Sequence, residues 1–167
     1  VQSGETIRYF FGGWSPPVSI EFVYDGLAAF MVLVINAIAF LVLIHSKKIS
    51  QNEFSGKLMG YYSVAMLMML GFNGMVLTGD LFNLYVFLEI SSLSSYALIA
   101  VGEKRAPYAA FRCLIIGTVG SSLYLLGIGF LYTVTGTLNI IDMHAMLPQV
   151  INHSAVIAAL ILMIIGI

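Results

Sequence analysis

Five apolar runs decide what this 167-residue chain can fold into. A helix needs about 20 mostly apolar residues to cross the hydrocarbon core of a bilayer. Residues 26–44 form one such run, with Asn36 as its only strongly polar member. Residues 58–77, carrying Ser63 and Asn73, form a second; residues 81–101 form a third and 114–134 a fourth. Residues 154–167 begin a fifth, which reaches about 21 Å at 1.5 Å per residue, short of the roughly 30 Å core. Segments in lipid must satisfy their own backbone hydrogen bonds, and a barrel would need alternating strands. The expected fold class is therefore all-α, a polytopic transmembrane helix bundle. Four full spans and an incomplete fifth make a single membrane domain over residues 1–167, expected to be a piece of a longer membrane protein.

Composition agrees. The chain is 60% apolar and 9% charged, whereas a soluble domain has about 45–50% and about 25%. So few charges cannot cover a water-facing surface. Seven basic residues against eight acidic ones give no excess to hold nucleic acid. A single cysteine allows no internal disulfide.

Basic residues orient such a chain, because short cytoplasmic loops carry the excess of Lys and Arg. Lys47, Lys48 and Lys57 lie between the first two runs, and Lys104, Arg105 and Arg112 between the third and fourth. The corner 78–80 and the loop 135–153 hold none; Arg8, in the N-terminal segment, is the exception. Loops 45–57 and 102–112 are thus expected on the cytoplasmic side of the cell membrane. Gly12-Gly13-Trp14-Ser15-Pro16-Pro17 reads as a turn-rich approach to the first span, with Trp14 and Tyr24 suited to the interface. Asp25 and Asp80 each precede an apolar run, where a carboxylate caps a helix start. Residues 139–147 read as a short interfacial helix ending near Pro148.

One charge stands where lipid should exclude it. Glu89 is the ninth residue of the third run, about 12 Å in and near the bilayer midplane. A charge there costs on the order of 3 kcal/mol on insertion scales. Helical spacing puts Phe82, Tyr85, Glu89, Ser92 and Tyr96 on one stripe. Three hydroxyl-bearing neighbours of a carboxyl can hold waters and pass protons, so Tyr85, Glu89, Ser92 and Tyr96 are candidates for a proton path. The competing reading makes Glu89 polar glue between helices. No acidic partner sits at the same depth. Arg112, near the start of the fourth run, either snorkels to the interface or pairs with an acid in the bundle. Asp25 and Asp80 are caps, or line an ion entrance.

The other polar and small residues have simpler readings. His45, His144 and His153 are expected to be solvated at the interface. Met66, Met68, Met69 and Met75 are adaptable packing. Gly117, Gly120, Ser121, Gly127 and Gly129 let another helix approach closely, and Cys113 is filler. No histidine falls within an apolar run to ligate a haem, and no His/Cys spacing suits a metal. Neither a phosphate loop nor a lysine within a span is present. No cofactor and no catalytic centre are expected.

The stretch Thr78-Gly79-Asp80-Leu81-Phe82-Asn83-Leu84-Tyr85-Val86-Phe87-Leu88-Glu89, followed by Ser95-Tyr96-Ala97-Leu98, resembles a known signature. It is similar to the antiporter-like membrane subunits shared by Mrp-type cation/proton antiporters, respiratory complex I and membrane-bound hydrogenases. Residues 133–139 and Tyr24-Asp25-Gly26-Leu27 fit the same family, and the nearest flavour is the D subunit of the Mrp antiporters. The resemblance implies a fourteen-helix protein built from two inverted five-helix repeats, with these spans as helices three to six and the start of seven. It also implies that Glu89 pairs with a lysine on the seventh helix, beyond Ile167, within a proton path.

Three functions follow as expectations. The first is a proton-translocating subunit of a cation/proton antiporter, with Glu89 exchanging protons against Na⁺ or K⁺ movement and other membrane subunits as partners. The second is the same chemistry in a redox-driven complex. The third is a structural scaffold with Glu89 inert.

Overall fold

The computed structural model describes residues 6–14, 19–53, 58–102 and 105–167, with the side chains of 48–53 set aside. The readings placed on Ser15, Pro16, Pro17, Lys48, Lys57 and Lys104 lie outside the described residues. The apolar runs, which hold no proline, are helices with their backbone bonds satisfied within the segment: α1 Gly26–Glu53, α2 Leu58–Leu77, α3 Leu81–Ala100 and α4 Ala106–Thr135. Among the described residues these four are long and apolar enough to cross a membrane. Two shorter helices follow, α5 Ile140–Val150 and α6 Ser154–Gly166.

Helix ends follow local chemistry. Asp25 Oδ1 accepts from the Ala28 N–H at 2.7 Å, and Asp80 Oδ1 accepts from the Asn83 N–H at 2.8 Å. Each carboxylate thus satisfies one of the donors that a helix start leaves unpaired. Pro107 sits in the first turn of α4, where its missing N–H costs nothing. That helix begins eight residues before the apolar run expected from residue 114. It stops at Gly136, whose φ of +68° is open to glycine and whose N–H donates to the Tyr132 carbonyl at 2.8 Å. Asn139 caps α5 through bonds from the N–H groups of Ile141 and Asp142. His153 caps α6, its Nδ1 accepting from Ala155 at 3.4 Å.

Two expectations need correction. Pro148 does not end α5, which runs on to Val150. Proline so near a C-terminus removes only one late hydrogen bond, and the helix tolerates it. The N-terminal segment is also more than an approach. Strands β1 Ile7–Phe10 and β2 Glu21–Tyr24 pair antiparallel, with Ile7 opposite Tyr24 and Phe10 opposite Glu21. A small hairpin therefore sits on an otherwise helical bundle.

Neighbouring helices pack in the order α1, α2, α3, α4, α6, with α6 lying most closely along α4 and α1 most loosely on α2. The buried core joins Leu81 of α3, Tyr124, Ile128 and Leu131 of α4, Met143 of α5, and Val156 and Ala159 of α6. Leu27, Phe30, Leu33, Phe40 and Leu41 of α1 remain exposed, an apolar face that water would not tolerate and lipid does.

Candidate functional site

Glu89 faces the seam between α3, α4 and the end of α6. A cavity of about 360 Å³ opens there, lined by Glu89, Ser92 and Tyr96 of α3, Gly117 and Ser121 of α4, and Gly166 of α6, with apolar residues between them. At about 30 Å³ per liquid water it has room for several waters, and its polar groups could hold them. Glu89 is half-buried. Its surroundings offer hydroxyls rather than a counter-charge.

Small residues create this space and its close walls. A side chain at Gly117 would collide with the Tyr96 hydroxyl, which lies against that glycine. A Cβ at Gly120 would come within 3.0 Å of the Gly166 carbonyl oxygen, and one at Gly127 within 2.9 Å of the Ala159 carbonyl oxygen. The glycines of α4 therefore do admit α6 at Gly120 and Gly127, and the Tyr96 side chain at Gly117. Gly129 departs from that expectation, since nothing lies within 4 Å of a Cβ there. Ser121 is buried and donates to the Thr118 carbonyl oxygen at 3.2 Å.

The stripe on α3 is only partly gathered into the cavity. Glu89, Ser92 and Tyr96 line it. Tyr85 stands one turn earlier, stacked on Tyr124 with ring centroids 6.4 Å apart. Phe82 is exposed, and its ring lies tilted against that of Tyr85. Arg112 is not brought to Glu89: it is exposed, and its guanidinium lies 5.9 Å from the ring centre of Tyr108. Among the described residues the single ion pair is elsewhere, between Arg8 and Glu21. Asp25 and Asp80 sit at helix starts as caps, and Asp80 is buried. Burial raises the Asp80 carboxyl above its ordinary range, against the lowering effect of the N–H groups of Asn83 and Phe82.

The sequence and the fold of the chain both have known counterparts. Residues 78–167 match the NADH:quinone oxidoreductase/Mrp antiporter transmembrane family. The chain belongs to that family. It is 44% identical over 98% of its length to the N subunit of the NADH-quinone oxidoreductase of Desulforudis audaxviator, of which it spans 32%. It is 37% identical over 83% of its length to the D subunit of the Na⁺/H⁺ antiporter of Bacillus subtilis, of which it spans 28%. The fold of 99% of the chain superposes on part of an archaeal membrane-bound sulfane sulfur reductase with a TM-score of 0.90 at 37% identity, covering 33% of that chain. It superposes on part of the Mrp complex from Dietzia sp. with a TM-score of 0.70 at 26% identity, covering 31% of that chain. The chain thus spans about a third of the curated relatives that it matches.

This family member carries a second polar centre, which the apolar runs gave no reason to look for. Glu21 of β2 is 1% exposed. Its Oε2 accepts from Asn139 Nδ2 at 2.7 Å, and its Oε1 lies 3.5 Å from Arg8 Nε. Around it the backbone knits three segments together. The Gly79 N–H donates to the Glu21 carbonyl at 2.8 Å, Leu81 to Leu138 at 2.9 Å, and Ile140 to Gly79 at 2.9 Å. Buried Thr78, Asp80, Thr137 and Asn139 complete the cluster. A sequence signal existed: two short runs rich in β-branched and aromatic residues flank the Gly-Gly and Pro-Pro pairs, a hairpin pattern.

Proposed function

We propose that this chain is the part of an antiporter-like, proton-translocating membrane subunit in which Glu89 takes up and releases the proton. The observation that carries the reading is the shared cavity of Glu89, Ser92 and Tyr96 beside Gly117 and Ser121. A carboxyl half-buried among hydroxyls and water-sized space can pass a proton through bridging waters, and Tyr85 extends the polar line by one turn. No cationic side chain lines the cavity among the described residues, and the family resemblance implies a lysine as the counter-charge of Glu89. In the antiporter reading the proton flux is exchanged against Na⁺ or K⁺, and other membrane subunits of a multisubunit complex are the partners. The site belongs to the cytoplasmic membrane, with loops 45–57 and 102–112 facing the cytoplasm, a sidedness supported by the placement of six basic residues.

A second reading, in which electron transfer in partner proteins drives the same proton movement, is favoured by a specific observation. The 44% identity to the N subunit of an NADH-quinone oxidoreductase and the TM-score of 0.90 to the sulfane sulfur reductase both point to redox complexes. The role of Glu89 is the same in either. The test is Glu89→Gln in the complete complex, with proton movement followed by a pH-sensitive dye in everted vesicles. Loss of at least tenfold with assembly intact is expected, and Glu89→Asp should retain part of the flux. Normal flux in Glu89→Gln overturns the proposal and leaves Glu89 as polar glue.

A further inference from the structure

The loose contact between α1 and α2 leaves a groove that the proton path does not use. Phe40, Leu43, Ile44 and Lys47 share one face of α1, at offsets of three and four residues. Leu58, Tyr62 and Met66 share one face of α2 at a spacing of four. Between the two faces is a groove of about 410 Å³. Lys47 closes the apolar part of α1, and Phe40 lies about 10 Å deeper along the helix axis. The groove is thus apolar over its depth and cationic at its end. Among the described residues Lys47 has no carboxylate within 4.0 Å. The opposite side of the same helix pair offers a contrast. There a groove of about 270 Å³ is lined by Ile35, Ile38, Val42, Met69, Phe72 and other apolar residues, with no charged group.

We propose that the Lys47 groove is a binding site for an anionic phospholipid, with acyl chain along Phe40, Leu43, Ile44 and Met66 and phosphate at Lys47. The occupant is set by charge complementarity. Only a ligand with a long apolar part and a negative head satisfies both halves of the groove, and basic pockets between membrane helices near the interface select such headgroups. A zwitterionic lipid gains the apolar contact without the net charge. The second groove, lacking a cation, has no headgroup preference.

The test labels the whole complex, purified in mild detergent, with photoactivatable phosphatidylglycerol or photoactivatable phosphatidylcholine. Cross-linked peptides are then mapped. Phosphatidylglycerol should label residues 40–47 or 58–66 about fivefold more than phosphatidylcholine does, the gain of roughly one lysine near the membrane surface. Lys47→Gln should erase that preference and Lys47→Arg restore it. Met66→Trp, which fills the groove and leaves every charge in place, should lower labelling by both lipids there. Equal labelling by the two lipids, or an unchanged preference in Lys47→Gln, overturns the proposal. So does labelling that survives Met66→Trp, because the lipid then binds by charge outside the groove. Absence of label from either lipid overturns it in favour of a protein helix covering the site.

Discussion

Tyr96 reaches the cavity of Glu89 because Gly117 has no side chain to stop it. Gly117→Ala places a methyl group where the phenol oxygen lies, so the ring must swing out and take its hydroxyl with it. If that hydroxyl helps to pass the proton, Gly117→Ala and Tyr96→Phe should lower proton flux together, each severalfold, with the complex still assembled. Full flux in Tyr96→Phe would remove the phenol from the path. Asp80 yields a prediction of a different kind. Its carboxyl titrates above the ordinary range because burial disfavours the charge. A group whose folded pKa is raised binds its proton more tightly when folded, so its contribution to stability is complete below the unfolded pKa and is lost as pH rises through the folded one. The unfolding midpoint of the wild type should therefore fall as pH climbs through and beyond the ordinary carboxylate range. Asp80→Asn keeps an acceptor oxygen for the Asn83 N–H but cannot titrate, so it should flatten that component; identical pH slopes would acquit Asp80. Glu89 and the two capping aspartates were legible in the sequence because each interrupts or precedes an apolar run. The placement of Arg112 over Tyr108 was not, since no spacing rule says whether a flexible guanidinium turns inward or back along its own helix.

Helix pairs in this bundle are joined by different means. α3, α4 and α6 meet through glycine and serine, whereas α1 meets α2 with a polar clamp. Asn36 Nδ2 donates to Asn73 Oδ1 at 2.9 Å, and each amide also donates to its own helix, at the Val32 and Met69 carbonyls. Polar side-chain pairs between membrane helices couple by about 0.6 kcal/mol on average in double-mutant cycles. Asn36→Leu, Asn73→Leu and the double variant should show a coupling of about that size in unfolding from bicelles, and a coupling of zero would mean that α1 is held by apolar contact alone. The runs announced their helices because length and apolarity are summed over many residues and do not depend on what packs against them. Boundaries were less visible: α4 begins at Ala106, inside a segment that looked like a loop, since the membrane requirement says nothing about helix that projects beyond the lipid. The Asn36–Asn73 pair was not legible as a pair. Each amide lies in its own run, and only tertiary packing brings residues 37 positions apart together.

Across the whole molecule, the polar cluster around Glu21 ties the hairpin, the α2–α3 corner and the α4–α5 loop at one end of the bundle, while the Glu89 cavity lies within it. The apolar runs did not point to the hairpin, because the requirement for self-satisfied backbone governs the spans and not the segments outside lipid; its signal lay in the short β-branched and aromatic runs before them. Held at the cluster are the ends of α2 and α4 and the starts of α3 and α5, so it sets how the helices that line the cavity are joined. Glu21→Ala removes the acceptor for a buried amide, leaves Asn139 Nδ2 without a partner while its Oδ1 still caps α5, and frees Arg8. Loss of a charge-assisted hydrogen bond with a buried donor left over costs about 2 kcal/mol. That cost should appear first as local opening, because the N–H groups of Gly79, Leu81 and Ile140 are tied across segment boundaries rather than within a helix. In Glu21→Ala, hydrogen exchange in nanodiscs should quicken at those three amides by about one to two orders of magnitude, while amides in the middle of α3 keep their wild-type rates. Unchanged exchange at all three would show that the backbone bridges stand without Glu21. Equal acceleration along α3 would show instead that the cluster supports the entire bundle.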